Sequence, residues 1–191
     1  MNASSCYTSL LLLGPTGAGK SPLGDWLEQR GLAGRPCAHF DFGRELRRAD
    51  SDPEFARRRG LNDIERAVIA RVLRAGALLE RDTFGVALKL LDGFAAAHDA
   101  GEPPVWVFNG LPRHVKQAEW LAARLRVPAV VQLVCDAETI IERIRRDTGG
   151  DRAGRADDDL ASVRRRLETY RARTAPLAAY YAARGARAIA I

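Results

Sequence analysis

The chain contains few cysteines, and their arrangement argues against a disulfide framework or a zinc site. Only Cys6, Cys37 and Cys135 occur among 191 residues. Their number is odd and no two form a CxxC pair, which favours a reducing compartment. Each is interpreted as a small buried hydrophobic residue close to a strand.

Long apolar runs are also missing. Hydrophobic residues make up 47% of the chain, enough for a sizeable core, but no run approaches the about 18 residues that a membrane span needs. Residues 1–9 lack the basic start and the apolar stretch of a signal peptide. We therefore expect a cytoplasmic protein without a membrane partner, folded as one domain over residues 1–191.

Lysine is scarce: only Lys20, Lys89 and Lys116 occur, and the other 27 basic residues are arginines. The net charge of +6 has two functional interpretations, a nucleic-acid surface or recognition of phosphate by planar guanidinium groups. Most of these arginines are expected to be solvated surface residues. No aromatic-rich basic strand or recognition helix is visible, so nucleic acid is not expected as a partner.

Short apolar runs alternate with amphipathic stretches, which predicts an α/β fold with a parallel sheet. Weak two-residue alternation is typical of strands buried on both faces. Asn62, with Glu65 three positions later, is predicted to cap a helix, and the charged stretch 44–61 is expected to be irregular. The predicted strands are 9–13, 37–42, 105–108, 129–135 and 186–191, and the predicted helices are 20–30, 62–75, 84–98, 115–125, 138–146, 157–171 and 174–184.

The first predicted strand leads into a phosphate-binding loop that matches GxxxxGK[ST] at every fixed position. Its glycines allow the backbone to aim successive N–H groups inward at the start of a helix, where the helix dipole favours an anion. Lys20 is expected to reach the β- and γ-phosphates of ATP, and the Ser21 hydroxyl to bind Mg²⁺. The predicted ATP-binding residues of this loop are Gly14, Pro15, Thr16, Gly17, Ala18, Gly19, Lys20 and Ser21.

Further motifs lie downstream. Phe108-Asn109-Gly110-Leu111-Pro112-Arg113 follows the third predicted strand, with Gln117 shortly after. Near the C-terminus come Gly154-Arg155-Ala156-Asp157-Asp158, Arg166-Leu167-Glu168-Thr169-Tyr170 and Thr174-Ala175-Pro176-Leu177. Together with the phosphate loop, these motifs resemble the adenylate kinase family of nucleoside monophosphate kinases over about residues 10–191.

The resemblance implies a P-loop NTPase-like three-layer α/β sandwich, in which helices wrap a five-stranded parallel sheet of order 2-3-1-4-5. It also implies an acceptor-binding insert at about 44–79 and a short lid at about 147–159, which Asp157 and Asp158 would help to hold closed. The protein is expected to be a monomer.

Residue by residue, the resemblance implies a catalytic set of Lys20, Arg113, Arg155 and Arg166. Arg143 would pack on the ATP adenine, Arg47 and Arg113 would hold the acceptor phosphate, and Gln117 would contact its base. Guanidinium groups suit a phosphoryl-transfer transition state because its charge is spread over three oxygens. The full acceptor-binding set is Asp41, Phe42, Gly43, Arg47, Gly110, Arg113 and Gln117.

The sequence departs from the family pattern at two places. Asn109 stands where the family usually has an aspartate that orients Mg²⁺ through water. Ser21 is expected to compensate in part, and an Asn109→Asp variant is expected to raise turnover at low Mg²⁺. In the segment 39–42, Phe42 replaces a small hydroxyl residue and would either stack on a base or plug the pocket. Asp41 is interpreted as a polar contact to the acceptor.

Three functions remain open from the sequence. The first is a nucleoside monophosphate kinase that uses ATP and Mg²⁺ to phosphorylate a small phosphate acceptor. The second is a P-loop kinase of another small molecule, because a fold does not determine a substrate. The third is a nucleotide-binding regulatory module with little catalysis, which the missing carboxylate at Asn109 would suit.

Overall fold

The computed structural model describes residues 6–98, 102–146 and 160–191. Five parallel strands form one sheet of order β2-β3-β1-β4-β5, as predicted. The strands are β1 (Tyr7–Leu13), β2 (Cys37–Asp41), β3 (Val105–Asn109), β4 (Leu125–Gln132) and β5 (Arg187–Ala190). The helices are α1 (Lys20–Arg30), α2 (Phe42–Ser51), α3 (Pro53–Arg58), α4 (Asp63–Ala75), α5 (Gly85–Ala96), α6 (Val115–Leu121), α7 (Ala137–Arg146), α8 (Leu160–Thr169) and α9 (Leu177–Ala182).

The sheet separates the two larger hydrophobic clusters, which gives the three layers that the family resemblance implies. Successive β1 residues point to opposite faces, so Leu11 and Leu13 join one core while Leu10 and Leu12 join the other. The larger core contains the aromatic ring of Phe40, which contacts other rings at centroid distances of 5.2 and 5.3 Å. Every residue of β2 and β3 is buried, as expected for strands covered on both sides.

The expectation of an irregular stretch at 44–61 is wrong, because two helices form there. Asp41 caps α2 by accepting a hydrogen bond from the Arg44 N–H, and Asp52 caps α3 by accepting one from the Phe55 N–H. Pro53 occupies the first turn of α3, where its missing N–H costs nothing. Leu46 and Ala49 of α2 are buried, as are Phe55 and Ala56 of α3. Most of the charged side chains of the segment are exposed, although Glu45 is buried. This high density of charge masked the short apolar periodicity.

Other boundaries shift by a few residues. The capping box predicted at Asn62 is confirmed, with both reciprocal hydrogen bonds to Glu65. The helix predicted over 115–125 ends at Leu121, because Leu125 already begins β4. Phe42, predicted as the end of a strand, is the first residue of α2. After α8 comes a single π-helical turn, Tyr170–Thr174, and residues 157–159 of that predicted helix lie outside the described residues.

The cysteines follow their prediction only in part: Cys37 is buried, Cys135 is half-buried and Cys6 is exposed. All three are free thiols. Within the described ranges, no helix combines the length and apolar character required to cross a bilayer.

Helix α1 packs on β2 at one very close contact. Gly24 of α1 lies against the imidazole of His39, whose Nδ1 is 2.8 Å from Asp25 Oδ1. A methyl group added at Gly24 would fall well inside contact distance of the ring. His39 is only 3% exposed, on an edge strand whose residues are all buried, so its ring has little room to move aside.

We therefore expect Gly24→Ala to lower the free energy of unfolding by about 1–3 kcal/mol, because overpacking outweighs the better helix propensity of alanine. Urea denaturation measures this. Gly85→Ala is the matched control: no atom lies within 4 Å of a methyl group there, so its stability should be unchanged or slightly raised. Equal free energies of unfolding for the two variants would contradict the close contact between Gly24 and His39.

Candidate active site

A cavity of about 480 Å³ opens at the carboxyl ends of β1, β2 and β3. The phosphate loop follows β1, Asp41 ends β2 and Asn109 ends β3, so parallel strands bring these residues to the same edge of the sheet. The cavity is lined by most of the predicted site: Gly14, Thr16, Gly17, Gly19, Lys20, Ser21, Asp41, Phe42, Gly43, Arg47, Asn109, Gly110, Arg113, Gln117, Arg143 and Arg166. Arg155 lies outside the described residues, as do Asp157, Asp158 and the whole predicted lid.

The phosphate loop has the backbone that its glycines predict. Gly17 and Gly19 have φ values of 81° and 96°, in the left-handed region that favours glycine. A side chain at Gly17 would also meet Ile140 and Ile144 of α7 at 3.1 Å, so this glycine allows α7 to pack on the loop. Pro15 and Ala18 are buried and do not line the cavity.

Lys20 and Arg143 place positive charge on either side of this loop. The Lys20 ammonium group donates hydrogen bonds to the carbonyl oxygens of Gly14 and Pro15, at 2.8 and 2.7 Å. Arg143 reaches the loop from α7, with Nη1 3.5 Å from the Ala18 carbonyl oxygen. The cradle of backbone N–H groups is therefore flanked by two cations, as an anion site requires.

Ser21, Asp41 and Asn109 form a polar cluster at the floor of the cavity. The Ser21 hydroxyl donates to Asp41 Oδ2 at 2.5 Å. Asn109 Nδ2 donates to the same carboxylate oxygen at 3.0 Å and to Ser21 Oγ at 3.1 Å. Burial raises the pKa of Asp41, but hydrogen bonds from Ser21 and from the Arg44 N–H outweigh it, so the pKa lies below its usual value and the carboxylate is ionised.

The backbone of Arg113 is held by two side chains. Its N–H donates to Gln117 Oε1 at 2.7 Å, and its carbonyl oxygen accepts from Thr174 Oγ1 at 2.7 Å. Thr174 ends the π-helical turn, a local irregularity of the kind often found at functional sites. Gln117 also donates through Nε2 to the Leu79 carbonyl oxygen at 2.8 Å. The Arg113 side chain therefore extends from a backbone position that is held in place in the cavity wall.

The Arg113 guanidinium group is buried close to a second cation. In the part of the chain that the structure describes, it forms no hydrogen bond or ion pair with a carboxylate. Burial, together with the positive charge of Arg166, lowers the pKa of Arg113 to about 10. Two guanidinium groups that repel each other beside a phosphate loop form a site that an anion would stabilise.

Arg166 and Arg47 enter the cavity from different helices, and the side chain of each passes close to a glycine. The stem of Arg166, from α8, passes Gly76 at the end of α4, where an added methyl group would lie 3.4 Å from Arg166 Cγ. Arg47 of α2 lies beside Gly43, where a methyl group would be 3.2 Å from Arg47 Nη1. Helices α2 and α8 thus both contribute cations to one cavity.

The far wall of the cavity is apolar and was missed by sequence reasoning. Val72, Leu73 and residues 77–79 line it without carrying any motif, so they are indistinguishable from core residues in the sequence. Phe42 also lines it, but the side chain is only 5% exposed and its ring packs on Phe40. Most of the Phe42 ring therefore belongs to the core, which leaves its edge for the cavity.

Comparison with known proteins places the chain among kinases. It is 35% identical to an adenylate kinase of Synechococcus sp. (strain WH7803) over 182 residues, which is 92% of this chain and 85% of the relative. It is 34% identical to an adenylate kinase of Stenotrophomonas maltophilia (strain R551-3) over 181 residues, with 92% and 86% covered. No protein-family model matches the chain. A gluconokinase structure from Sinorhizobium meliloti 1021 aligns with a TM-score of 0.48 and 18% identity, over 98% of this chain and 83% of that one.

We expect Arg113→Met to stabilise the protein in the absence of ligand. A base whose folded-state pKa is lowered destabilises the fold while it is charged, so the cost is fully present at neutral pH and fades as pH rises through about 10. Removing the charge should add up to about 3 kcal/mol to the free energy of unfolding at pH 7.

The same variant should lose the stabilisation that inorganic phosphate or ATP gives the wild type in thermal melts. Arg71→Met, at an exposed position of α4, is the control and should change neither quantity. A less stable Arg113→Met protein would show that the guanidinium group has a partner and is not an open anion site.

Proposed function

Because the chain belongs to the adenylate kinase family, we propose that it transfers the γ-phosphoryl group of ATP to the phosphate of a nucleoside monophosphate, with Mg²⁺ bound to the nucleotide. The observation that carries the proposal is the meeting of Arg113 and Arg166 in the same cavity as the phosphate loop and Lys20. A phosphoryl group lying between the loop and these arginines would be surrounded by positive charge.

The loop half of the cavity suits ATP. The N–H groups at the start of α1 and the Lys20 ammonium group would hold the β- and γ-phosphates. Arg143, beside the Ala18 carbonyl oxygen, would contact the adenine end from α7. Mg²⁺, when bound, supplies charge neutralisation between the β- and γ-phosphates, and Ser21 lies in the first turn of α1, where its hydroxyl can act as a ligand.

The other half suits a small molecule with a phosphate at one end and an apolar ring at the other. Arg47 and Arg113 would bind the phosphate, and the wall at Val72 and residues 77–79 would contact the ring. Gln117 lies between these two regions. A cavity of about 480 Å³ falls within the range of about 300–1,000 Å³ that is usual for small-molecule sites.

Transfer would then depend on alignment and charge. The two phosphates would be held in line by groups on different elements, Lys20 after β1, Arg113 after β3 and Arg166 on α8. These groups would stabilise the charge that spreads over the transferring phosphoryl oxygens. Arg155 is proposed as a further cation on the lid side, by its place in the family motif.

A second candidate, phosphorylation of a different small acceptor, is favoured by the Asp41–Phe42 pair at the acceptor side. The family's small hydroxyl residue is absent here, and a buried carboxylate lines the cavity instead. Such a carboxylate could accept a proton from an acceptor hydroxyl. The chemical identity of the acceptor distinguishes the two candidate functions.

The deciding experiment is a coupled assay of ADP release with ATP, Mg²⁺ and a panel of AMP, CMP, UMP, GMP and the deoxynucleotides, with a metabolite pool as the comparison arm. We expect release that depends on one or more monophosphates and produces the matching diphosphate. Release only with a hydroxyl acceptor would favour the second candidate. Nucleotide binding with no turnover on any acceptor would rule out both and indicate a regulatory module.

Arg166 tests the transfer step itself. Because its charge is proposed to act on the transferring phosphoryl group, Arg166→Met should lower kcat by roughly 10²–10⁴-fold with little change in the KM for ATP. Arg164→Met is the matched control, since Arg164 is exposed on the same helix two residues away, and should keep wild-type kcat. An effect confined to KM, or an equal loss in the control, would remove Arg166 from the transfer step.

A further inference from the structure

We infer that Asp41, at the end of β2, supplies the carboxylate that positions Ser21 and the hydration shell of the nucleotide-bound divalent cation, in place of the carboxylate that β3 lacks at Asn109. The inference rests on the proposed function, because it concerns the cation that accompanies ATP. It also changes the interpretation of Asp41, which the sequence suggested as an acceptor contact.

The sheet register places the two residues side by side. Asp41 of β2 pairs directly with Asn109 of β3, and neighbouring strands lie about 4.8 Å apart. The Asp41 carboxylate therefore lies one strand away from position 109, where the family usually has its aspartate, and at the same distance along the strands. Its Oδ2 atom faces Asn109 Nδ2 and Ser21 Oγ, so the charge is directed at the start of α1.

The hydrogen bonds of Ser21 leave one acceptor position for a cation. A hydroxyl group has one donor and two lone pairs. The donor is used by Asp41 Oδ2 and one lone pair accepts from Asn109 Nδ2. The remaining lone pair of Ser21, a residue that lines the cavity, can bind a cation only while the proton is held away from it, and the carboxylate does this. Such outer contacts orient metal ligands and typically change metal affinity by about 10–100-fold.

Among the residues that the structure describes, no cationic side chain is bonded to the buried carboxylate of Asp41. The residue is 6% exposed, and the groups that donate to it are a hydroxyl, an amide and the backbone N–H of Arg44. The Arg44 guanidinium group binds Asp25 instead. These neutral donors, together with the electrostatic effect of His39 and Arg47, keep the pKa of Asp41 below its usual value, so the carboxylate is ionised. Its Oδ2 atom remains directed at Ser21, where a cation would bind.

The surroundings fit a cation that arrives with the nucleotide. Among the described residues, no three His, Cys, Asp or Glu side chains are grouped as a metal site. Mg²⁺ commonly binds through one or two protein oxygens, several waters and substrate phosphates. One hydroxyl and one carboxylate beside a phosphate loop match that pattern.

The geometry also revises the expectation for Asn109→Asp. This substitution would replace the Nδ2–Oδ2 hydrogen bond of 3.0 Å with two carboxylates in contact, which repel unless a cation lies between them. We therefore expect lower thermal stability than wild type in EDTA and a larger stabilisation by Mg²⁺ together with a non-hydrolysable ATP analogue. A variant as stable as wild type in EDTA would overturn the inference, because Asp41 would then not be an ionised neighbour.

The main test measures the affinity for a non-hydrolysable ATP analogue by calorimetry, in EDTA and in Mg²⁺, and takes the ratio of the two. Asp41→Asn should reduce the enhancement by Mg²⁺ at least tenfold, while affinity in EDTA stays the same or rises because a negative charge is removed. Asparagine preserves the shape and the helix cap of α2. An unchanged ratio overturns the inference; loss of both affinities to the same extent indicates a purely structural role and overturns it too.

Two further variants sharpen the result. Asp50→Asn removes the same charge from an exposed position of α2 and should leave the ratio unchanged. The double variant Asp41→Asn/Asn109→Asp moves the carboxylate back to β3 and should recover most of the Mg²⁺ enhancement. Failure to recover would show that the position on β2 is not interchangeable with that on β3 and would contradict the inference.

The experiment separates this inference from the proposed function. If the wild type binds no ATP analogue with or without Mg²⁺, the proposed function fails. If the wild type binds the analogue and phosphorylates an acceptor, but Asp41→Asn retains the full Mg²⁺ ratio, only the role of Asp41 fails. A selective rise in KM for the acceptor in Asp41→Asn, with the ratio unchanged, would assign the carboxylate to the acceptor instead.

Discussion

The site depends on cations that lie close to one another at one edge of the sheet. Arg113 shows the constraint most clearly, because its pKa is lowered to about 10 by burial and by the neighbouring Arg166. A folded chain tolerates this only if the rest of the core supplies the stability, and the two hydrophobic cores on either side of the sheet do so. A phosphate group bound beside Arg113 and Arg166 would offset the repulsion between the two guanidinium groups.

Much of the fold follows from the sequence because strands buried on both faces are continuous apolar runs with few alternative placements. The sheet order came from the family resemblance, and the structure has it. Prediction failed at residues 44–61, where charge density hid two short helices. Their signals were local ones, the caps Asp41 and Asp52 and the proline after the second cap. Short helices depend on such end contacts more than on periodicity.

The site was predictable where chemistry needs a fixed spacing and not where it needs only an apolar surface. The loop around Lys20 and the arginine at 113 were recognisable, and both line the cavity. Leu79 could not be recognised, because the sequence does not distinguish a leucine that lines a pocket from one in the hydrophobic core. The sequence assigned Asp41 to the acceptor side but could not predict its hydrogen bonds with Ser21 and Asn109. Strand register, which sets Asp41 beside Asn109, cannot be read from one sequence.

Gln117 has a mechanical consequence. Through one amide group it joins the backbone N–H of Arg113 to the carbonyl oxygen of Leu79, 38 positions before it in the chain. The amide links the arginine-bearing end of the cavity to its apolar wall. An outward shift of the segment between α4 and α5 would therefore break one of these hydrogen bonds or displace the loop that carries Arg113. An insertion that displaces Leu79 would therefore also disturb the backbone of Arg113.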